Sequence, residues 1–280
     1  MIHKLIFLWL ASLFSLGVFG QEAKGNLFII GGGDRSPQLI KKLISTAQLA
    51  SKDYIVILPM ATSEPDTAYY YIKRQLEEAC HNSIANLNFE KKDTANNLWL
   101  DSVKHAKLIF ITGGDQGRFM NVVLHSPIQE AIRTAYSNGA TVAGTSAGAA
   151  VMPMHMITGE HLLGDTTYYS TFKELRNSNI EIIEGLGLLT SAIIDQHFIV
   201  RSRYNRLLSA LAKYPALPCI GIDESTAIII HGVRVEIAGE GQVVVFSKAI
   251  NLRATEDGYI KFDDVHMSIF TNGDKFNLTK

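Results

Sequence analysis

A serine between two glycines stands in the middle of the chain, in the segment Gly144-Thr-Ser-Ala-Gly148. The segment matches the G-x-S-x-G pattern, with an apolar run before it and a helix-capable run of small residues after it. Such a turn strains the serine backbone and lifts its hydroxyl above the sheet, while glycine neighbours avoid clashes. The pattern therefore favours Ser146 as a nucleophile over a turn without chemistry, with the Ala147 amide and the helix dipole stabilising an oxyanion.

A serine hydroxyl is a poor nucleophile until a base takes its proton, and that base needs a third group to orient it. Of the nine histidines, only His197 lies beside residues that could take part in catalysis. It is in Asp-Gln-His-Phe, directly after an apolar run. Asp223 and Glu224 follow another apolar run, and strand ends of a parallel sheet share one edge. The residues alone leave Asp195, Asp223 and Glu224 open as the acid, and each also fits an ordinary strand-end or turn position.

Two glycine-rich turns also follow predicted strands, at residues 31–33 and at Gly113 and Gly114. Neither has the glycine spacing of a dinucleotide site or the Gly-Lys-Ser/Thr of a phosphate loop. The amides of Gly113 and Gly114 can supply the second half of an oxyanion hole. For residues 31–33 we favour a tight turn at the sheet edge.

A basic cluster, Arg201, Arg203 and Arg206, follows His197 directly. On a helix these guanidinium groups would fan out beside the base, and guanidinium forks suit carboxylates. The cluster therefore predicts a substrate that carries at least one carboxylate. The alternative is that the arginines lie on a solvent-exposed helix face, as runs of charged residues usually do.

Short β-branched runs alternate with helical stretches, which is typical of βαβ units on a mostly parallel sheet flanked by helices. After the serine segment we predict a basic helix over 198–213, then short strands in antiparallel hairpins toward the C-terminus. No linker divides the chain, so we expect one α/β catalytic domain over residues 21–280. Predicted strands in the first half are 26–30, 54–58, 84–89, 107–112 and 141–143, and predicted helices are 36–50, 67–80, 95–105 and 127–138.

The first twenty residues, with a lysine, an apolar run and small residues before Gln21, predict a cleaved export signal and a periplasmic or extracellular protein. The formal net charge of −1 gives no sign of nucleic-acid binding, and no later run predicts a membrane span. Cys80 and Cys219 are not predicted to pair. The oligomeric state stays open, with a homodimer as one possibility.

Four segments in this order resemble the cyanophycinases, a family related to aspartyl dipeptidase (peptidase E) with a fold like the class I glutamine amidotransferases, which is flavodoxin-like. The resemblance implies a triad of Ser146 as nucleophile, His197 as general base and Glu224 as orienting acid. It also implies that Gln116 and Asp195 are substrate-side or supporting positions, and that no metal or cofactor is required. The four segments are the serine turn, Gly113-Gly-Asp-Gln116, Asp195 to Arg206, and Gly221-Ile-Asp-Glu-Ser-Thr-Ala227.

Cyanophycinases cleave cyanophycin, a poly-aspartate whose β-carboxyls carry arginine through its α-amino group, and release β-Asp-Arg dipeptides. The resemblance thus implies a secreted serine exopeptidase acting on cyanophycin or another β-aspartyl peptide, in which Ser146 attacks the β-aspartyl carbonyl and forms an acyl-enzyme. Two alternatives stay open. One is a peptidase E-like dipeptidase or other serine hydrolase, and the other is a non-catalytic carboxylate-binding protein on the same scaffold.

Overall fold

The structure is a computed structural model and describes residues 24–163 and 173–278. The predicted export signal, residues 1–20, lies outside the described residues. Within the two described ranges no helix is long and apolar enough to cross a bilayer.

The elements alternate between strand and helix in the first half of the described chain, and strands predominate in the second half. The helices are α1 (Pro37–Ala47), α2 (Pro65–Glu77), α3 (Asn97–His105), α4 (Gln116–Val123), α5 (Pro127–Ser137), α6 (Ala147–Ala150) and α7 (Tyr204–Lys213), with a 3-10 turn at Lys91–Asp93. The strands are β1 (Asn26–Ile30), β2 (Tyr54–Leu58), β3 (Ser83–Asn86), β4 (Leu108–Ile111), β5 (Thr141–Thr145), β6 (His155–His161), β7 (Ile180–Glu184), β8 (Ile193–Gln196), β9 (Cys219–Ile222), β10 (Thr226–His231), β11 (Arg234–Gly239), β12 (Val243–Ile250), β13 (Arg253–Ala254), β14 (Ile260–Lys261), β15 (Asp264–Phe270) and β16 (Lys275–Asn277).

An eight-stranded sheet forms the centre, in the order β16-β11-β10-β1-β5-β4-β2-β3. The pairs from β1 to β3 are parallel, and those from β1 through β10 and β11 to β16 are antiparallel. The predicted fold class, a mostly parallel sheet flanked by helices with antiparallel strands toward the C-terminus, is confirmed. Because β1, β4 and β5 are parallel neighbours, their carboxyl ends meet at one edge.

Helices cover both faces of this sheet. Helices α1 and α2 pack on one face, with Leu43 and Leu76 fully buried, and α3, α4 and α5 pack on the other. Two of the helices begin at a proline next to a capping serine, since the Ser36 side chain accepts from the amide of Leu39 and Ser126 precedes Pro127. Proline fits the first helical turn because the amide it lacks has no partner there. Packing of the buried helix faces against the sheet holds in place the strand ends that carry the site.

A second sheet of β15, β12, β9 and β8 packs against α7. The predicted helix over 198–213 is wrong over residues 198–203, because α7 begins at Tyr204. The backbone is left-handed at His197 (φ 48°) and Ser202 (φ 49°), and Asp223 accepts the amides of Ile199 and Val200. Before residue 204 the chain therefore forms isolated turns, such as the one closed by the bond from Arg201 N to His197 O at 3.2 Å, and no continuous helix. The hairpin of β6 and β7 and the helix α4 were not predicted.

Candidate active site

Ser146 lies at the sharp turn between β5 and α6, with φ 54° and ψ −112°. Its neighbours are glycines for a steric reason. A Cβ on Gly144 would lie 2.5 Å from Gly148 O, and one on Gly148 would lie 2.4 Å from Ile111 O. The Ser146 amide donates to Ile30 O at 3.1 Å, which ties the turn to the end of β1. The predicted strained turn is thus present, and hydrogen bonding and packing with neighbouring backbone stabilise the unfavourable conformation of Ser146.

The end of β8 brings His197 to the serine. Ser146 Oγ lies 2.8 Å from His197 Nε2, and His197 Nδ1 lies 2.5 Å from Glu224 Oε1. The three side chains therefore form one continuous hydrogen-bonded line, the arrangement that general-base activation of a serine requires.

Three acids were open from the sequence, and the structure brings one of them to the imidazole. Glu224 contacts His197, whereas the Asp223 carboxylate accepts two backbone amides, both at 3.0 Å. Asp195 is fully buried and forms an ion pair with Arg206. Each acid therefore has a different partner, and Glu224 is the one placed to orient the imidazole.

The electrostatics favour a neutral imidazole. Burial lowers the pKa of His197 below its usual value of 6.5, the hydrogen bond to Glu224 opposes that shift, and the positive charge of Arg201 adds to it. The His197 side chain is 10% exposed. A neutral Nε2 can accept the serine proton at neutral pH, and the imidazolium formed is stabilised by the adjacent carboxylate.

The predicted oxyanion residues lie beside the serine. Ala147 is the first residue of α6, and a Cβ built on Gly113 would lie 3.4 Å from Ser146 Cβ. Gly114 has φ 139°, and a Cβ there would lie 2.3 Å from Ala61 O. The turn that follows β4 therefore lies at van der Waals distance from the elbow, and the missing side chain of Gly114 lets the turn pack against the backbone of Ala61.

A cleft of about 580 Å³ opens at Ser146. The start of α4 forms one wall, the residues after β8 form another, and the β6–β7 hairpin forms a third. The hairpin wall contributes two carboxylates, Glu160 and Glu181, and the residues after β8 contribute guanidinium groups. The charged lining side chains are Asp115, Glu160, Glu181, Arg201, Arg203 and Arg206.

The model of Peptidase family S51 matches residues 27–238, a range that contains Ser146, His197 and Glu224. The chain belongs to peptidase family S51. It is therefore a serine-type peptidase, which confirms the predicted enzyme class.

Relatives of this S51 peptidase cover nearly all of it. Cyanophycinases from a Nostoc species and from Trichormus variabilis are each 33% identical over 270 residues, which is 92% of this chain and 87% of theirs. The cyanophycinase of Geminocystis herdmanii is 29% identical, with 92% and 95% covered. These matches confirm the resemblance to the cyanophycinases.

Solved structures share the fold of this S51 peptidase. A peptidase from an acI-B1 Actinobacterium superimposes with a TM-score of 0.63 at 20% identity, covering 92% of this chain and 98% of that one. A putative peptidase E from Listeria monocytogenes gives a TM-score of 0.53 at 15% identity, covering 78% and 99%.

All three arginines of the predicted cluster line the cleft of this S51 peptidase, but two of them are also paired with protein groups. Arg203 and Arg206 are buried, Arg206 forms two hydrogen bonds to Asp195, and Arg203 donates to Gln196 O at 2.6 Å. A buried guanidinium needs such partners to offset its desolvation. Asp195 is therefore a supporting residue behind the cleft wall, and Arg201 is the exposed cation of the trio.

Gln116 has a supporting contact in addition to its place in the cleft wall. Its Nε2 donates to Ile157 O at 3.4 Å and, more closely, to Thr158 O. This contact links α4 to the hairpin that carries Glu160 and Glu181. The sequence did contain a signal for α4, since Asp115 is a typical N-cap residue. In the structure its side chain accepts the amide of Arg118 at 2.9 Å.

Sequence reasoning missed the contribution of residues 31–33 to the site. A Cβ on Gly32 would lie 2.2 Å from His197 Cε1, and one on Gly33 would lie 2.7 Å from Glu224 Cβ. The turn at the end of β1 thus packs directly against two of the three hydrogen-bonded side chains.

Proposed function

We propose that this peptidase is a serine exopeptidase that hydrolyses cyanophycin through an acyl-enzyme on Ser146. The observation that carries the proposal is the hydrogen-bonded line from Ser146 Oγ through His197 to Glu224, at 2.8 and 2.5 Å. The substrate assignment is supported by relatives named cyanophycinase that align with 92% of the chain.

In the first step His197 Nε2 accepts the hydroxyl proton as Ser146 Oγ bonds to the substrate carbonyl carbon. The amides of Ala147 and of the Gly113-Gly114 turn stabilise the negative oxygen. The carbon–nitrogen bond then breaks, and the Nε2 proton passes to the leaving amine. Water adds to the acyl-enzyme while His197 Nε2 accepts its proton. The bond between Oγ and the acyl carbon then breaks, Nε2 returns the proton to Ser146 Oγ, and the carboxylate product leaves.

The bond attacked differs from the one expected from the sequence. A β-Asp-Arg product keeps arginine on the β-carboxyl, so the β-aspartyl amide survives the reaction. Hydrolysis must therefore occur at the main-chain amide between two aspartates. We accordingly propose that Ser146 attacks the α-carbonyl of an aspartyl unit rather than its β-carbonyl.

The charges of the cleft suit such a repeat, because each unit carries the α-carboxylate and the guanidinium of its arginine. Arg201, Glu160 and Glu181 all line the cleft. We propose that Arg201 binds the carboxylate and that the two glutamates on the hairpin bind the guanidinium. Carboxylates that bind a guanidinium would favour this substrate over an aspartyl dipeptide without arginine.

The test is digestion of purified cyanophycin by the wild-type protein and by Ser146→Ala, with products identified by mass spectrometry. We expect β-Asp-Arg from the wild type and none from the variant. Intact polymer together with cleaved aspartyl dipeptides would instead indicate a peptidase E-like activity. Equal release by both proteins would contradict the serine mechanism.

We also propose that residues 1–20 direct export and are removed before Gln21. Fractionation of a bacterial culture that expresses the full chain, with N-terminal sequencing of the product, tests this. A full-length protein retained in the cytoplasm would contradict it.

A further inference from the structure

The glycine turn, residues 31–33, continues β1 at the centre of the large sheet. The backbone of the turn and of Ile30, the last residue of β1, contacts all three segments of the proposed triad. Three consecutive carbonyl groups each accept one amide, from the nucleophile, from the base and from the residue after the acid. The hydrogen bonds run from Ser146 N to Ile30 O (3.1 Å), from His197 N to Gly31 O (2.8 Å) and from Ser225 N to Gly32 O (2.8 Å).

The glycines of the turn lie against the same residues sterically. A Cβ on Gly32 would lie 2.2, 2.5 and 2.7 Å from His197 Cε1, Nε2 and Nδ1, so the imidazole lies against the bare Cα. A Cβ on Gly33 would lie 2.7 Å from Glu224 Cβ and 3.0 Å from its Oε2. A Cβ on Gly31 would instead meet backbone, at 2.1 Å from Asp223 O.

We propose that the glycine turn is the positioning element of the triad, and that Gly32 is the residue that fixes the plane of the His197 imidazole. This inference rests on the proposed function of Ser146, His197 and Glu224.

The backbone conformations of Ser146 and His197 explain why a positioning element is needed. Ser146 and His197 have φ values of 54° and 48°, which disfavour any residue with a Cβ. Such conformations persist only where surrounding structure holds them. The residues of β1 beyond its first are fully buried and pair with β5 and β10, so the carbonyls of the turn extend from a rigid strand.

The sharpest perturbation is Gly32→Ala. The new methyl group meets the end of a side chain rather than backbone, so the imidazole is displaced while the strand pairing stays intact. Displacement of a reacting group by about 1 Å costs about a hundredfold in rate, and we expect kcat/KM to fall at least that far. The acid limb of the pH profile should move as well, because the Glu224 hydrogen bond raises the His197 pKa.

The matched control is Gly273→Ala. Gly273 has φ 87°, and a Cβ there meets nothing within 4 Å, so the variant shares the backbone strain without the contact. We expect its kcat/KM and pH profile to equal those of the wild type. A second variant, Gly33→Ala, pushes on Glu224, and we expect it to shift the downfield proton resonance of His197 Nδ1.

Activities are compared per folded molecule, with folding checked by circular dichroism and thermal unfolding. A folded Gly32→Ala with wild-type activity and pH profile would overturn the proposal. If Gly32→Ala does not fold, Gly33→Ala decides, and failure of both to fold would make the turn a folding determinant and overturn the positioning role. Ser146→Ala is assayed alongside, because retained activity there refutes the proposed function independently.

Discussion

Replacing Glu224 by glutamine tests the acid of the proposed triad. Glu224 Oε1 lies 2.5 Å from His197 Nδ1. Two unit charges at that distance interact by about 7 kcal/mol at an effective dielectric constant of about 20. The Glu224 side chain is 35% exposed, so solvent screening reduces the loss to about 3 kcal/mol. We therefore expect kcat to fall about a hundredfold, because each 1.4 kcal/mol is about tenfold in rate.

The neighbouring acid supplies the control. Asp223→Asn makes the same chemical change one residue earlier but keeps the oxygen that accepts the amides of Ile199 and Val200. We expect its kcat to stay within about threefold of the wild type. The assay is release of β-Asp-Arg under saturating polymer, with both variants checked for thermal stability. Loss of activity in Asp223→Asn together with retention in Glu224→Gln would refute the assignment of the acid.

Three further outcomes follow from the charges of the site. The acid limb of kcat/KM should lie below pH 6.5, because the active form has a neutral His197 and the pKa of that imidazole is lowered. Arg201→Gln should move the limb to higher pH, because it removes a cation that lowers the His197 pKa, and an unmoved limb would contradict this. Arg206→Ala should lower the free energy of unfolding in urea by about 3–5 kcal/mol, since it leaves the Asp195 carboxylate buried without its main partner; an unchanged urea midpoint would refute the pairing. Glu181→Gln should raise KM for cyanophycin about tenfold with little change in kcat, because one charge-assisted hydrogen bond is lost. An unchanged KM would argue against guanidinium binding at Glu181.

Most of the strand and helix pattern of the first half, α4 excepted, was predictable because local hydrophobic runs determine it. The runs at 26–30 and 54–58 become β1 and β2 with the predicted bounds. The serine turn was predictable for the same reason, since glycine spacing and a preceding strand are local signals. The start of α7 was not, because Asp223, which is distant in sequence, accepts the amides of Ile199 and Val200 in the segment before it.

Partners far apart in sequence account for the rest. The sequence left three acids open, and the choice of Glu224 depends on the parallel pairing of β8 with β9, which brings together the residues that follow the two strands. The contact of Gly32 with the His197 ring joins segments separated by most of the chain, and a glycine leaves no side-chain pattern to detect. Burial of Arg206 with Asp195 likewise appears only once α7 packs on the second sheet.

The central claim is that Ser146 is the nucleophile. Treatment with a fluorophosphonate, followed by proteolysis and mass spectrometry, tests it most directly. We predict a single phosphonyl adduct on the peptide that contains Ser146, with labelling lost in Ser146→Ala and slowed in Glu224→Gln. An adduct on another residue, or an unlabelled protein that still digests the polymer, would contradict the account.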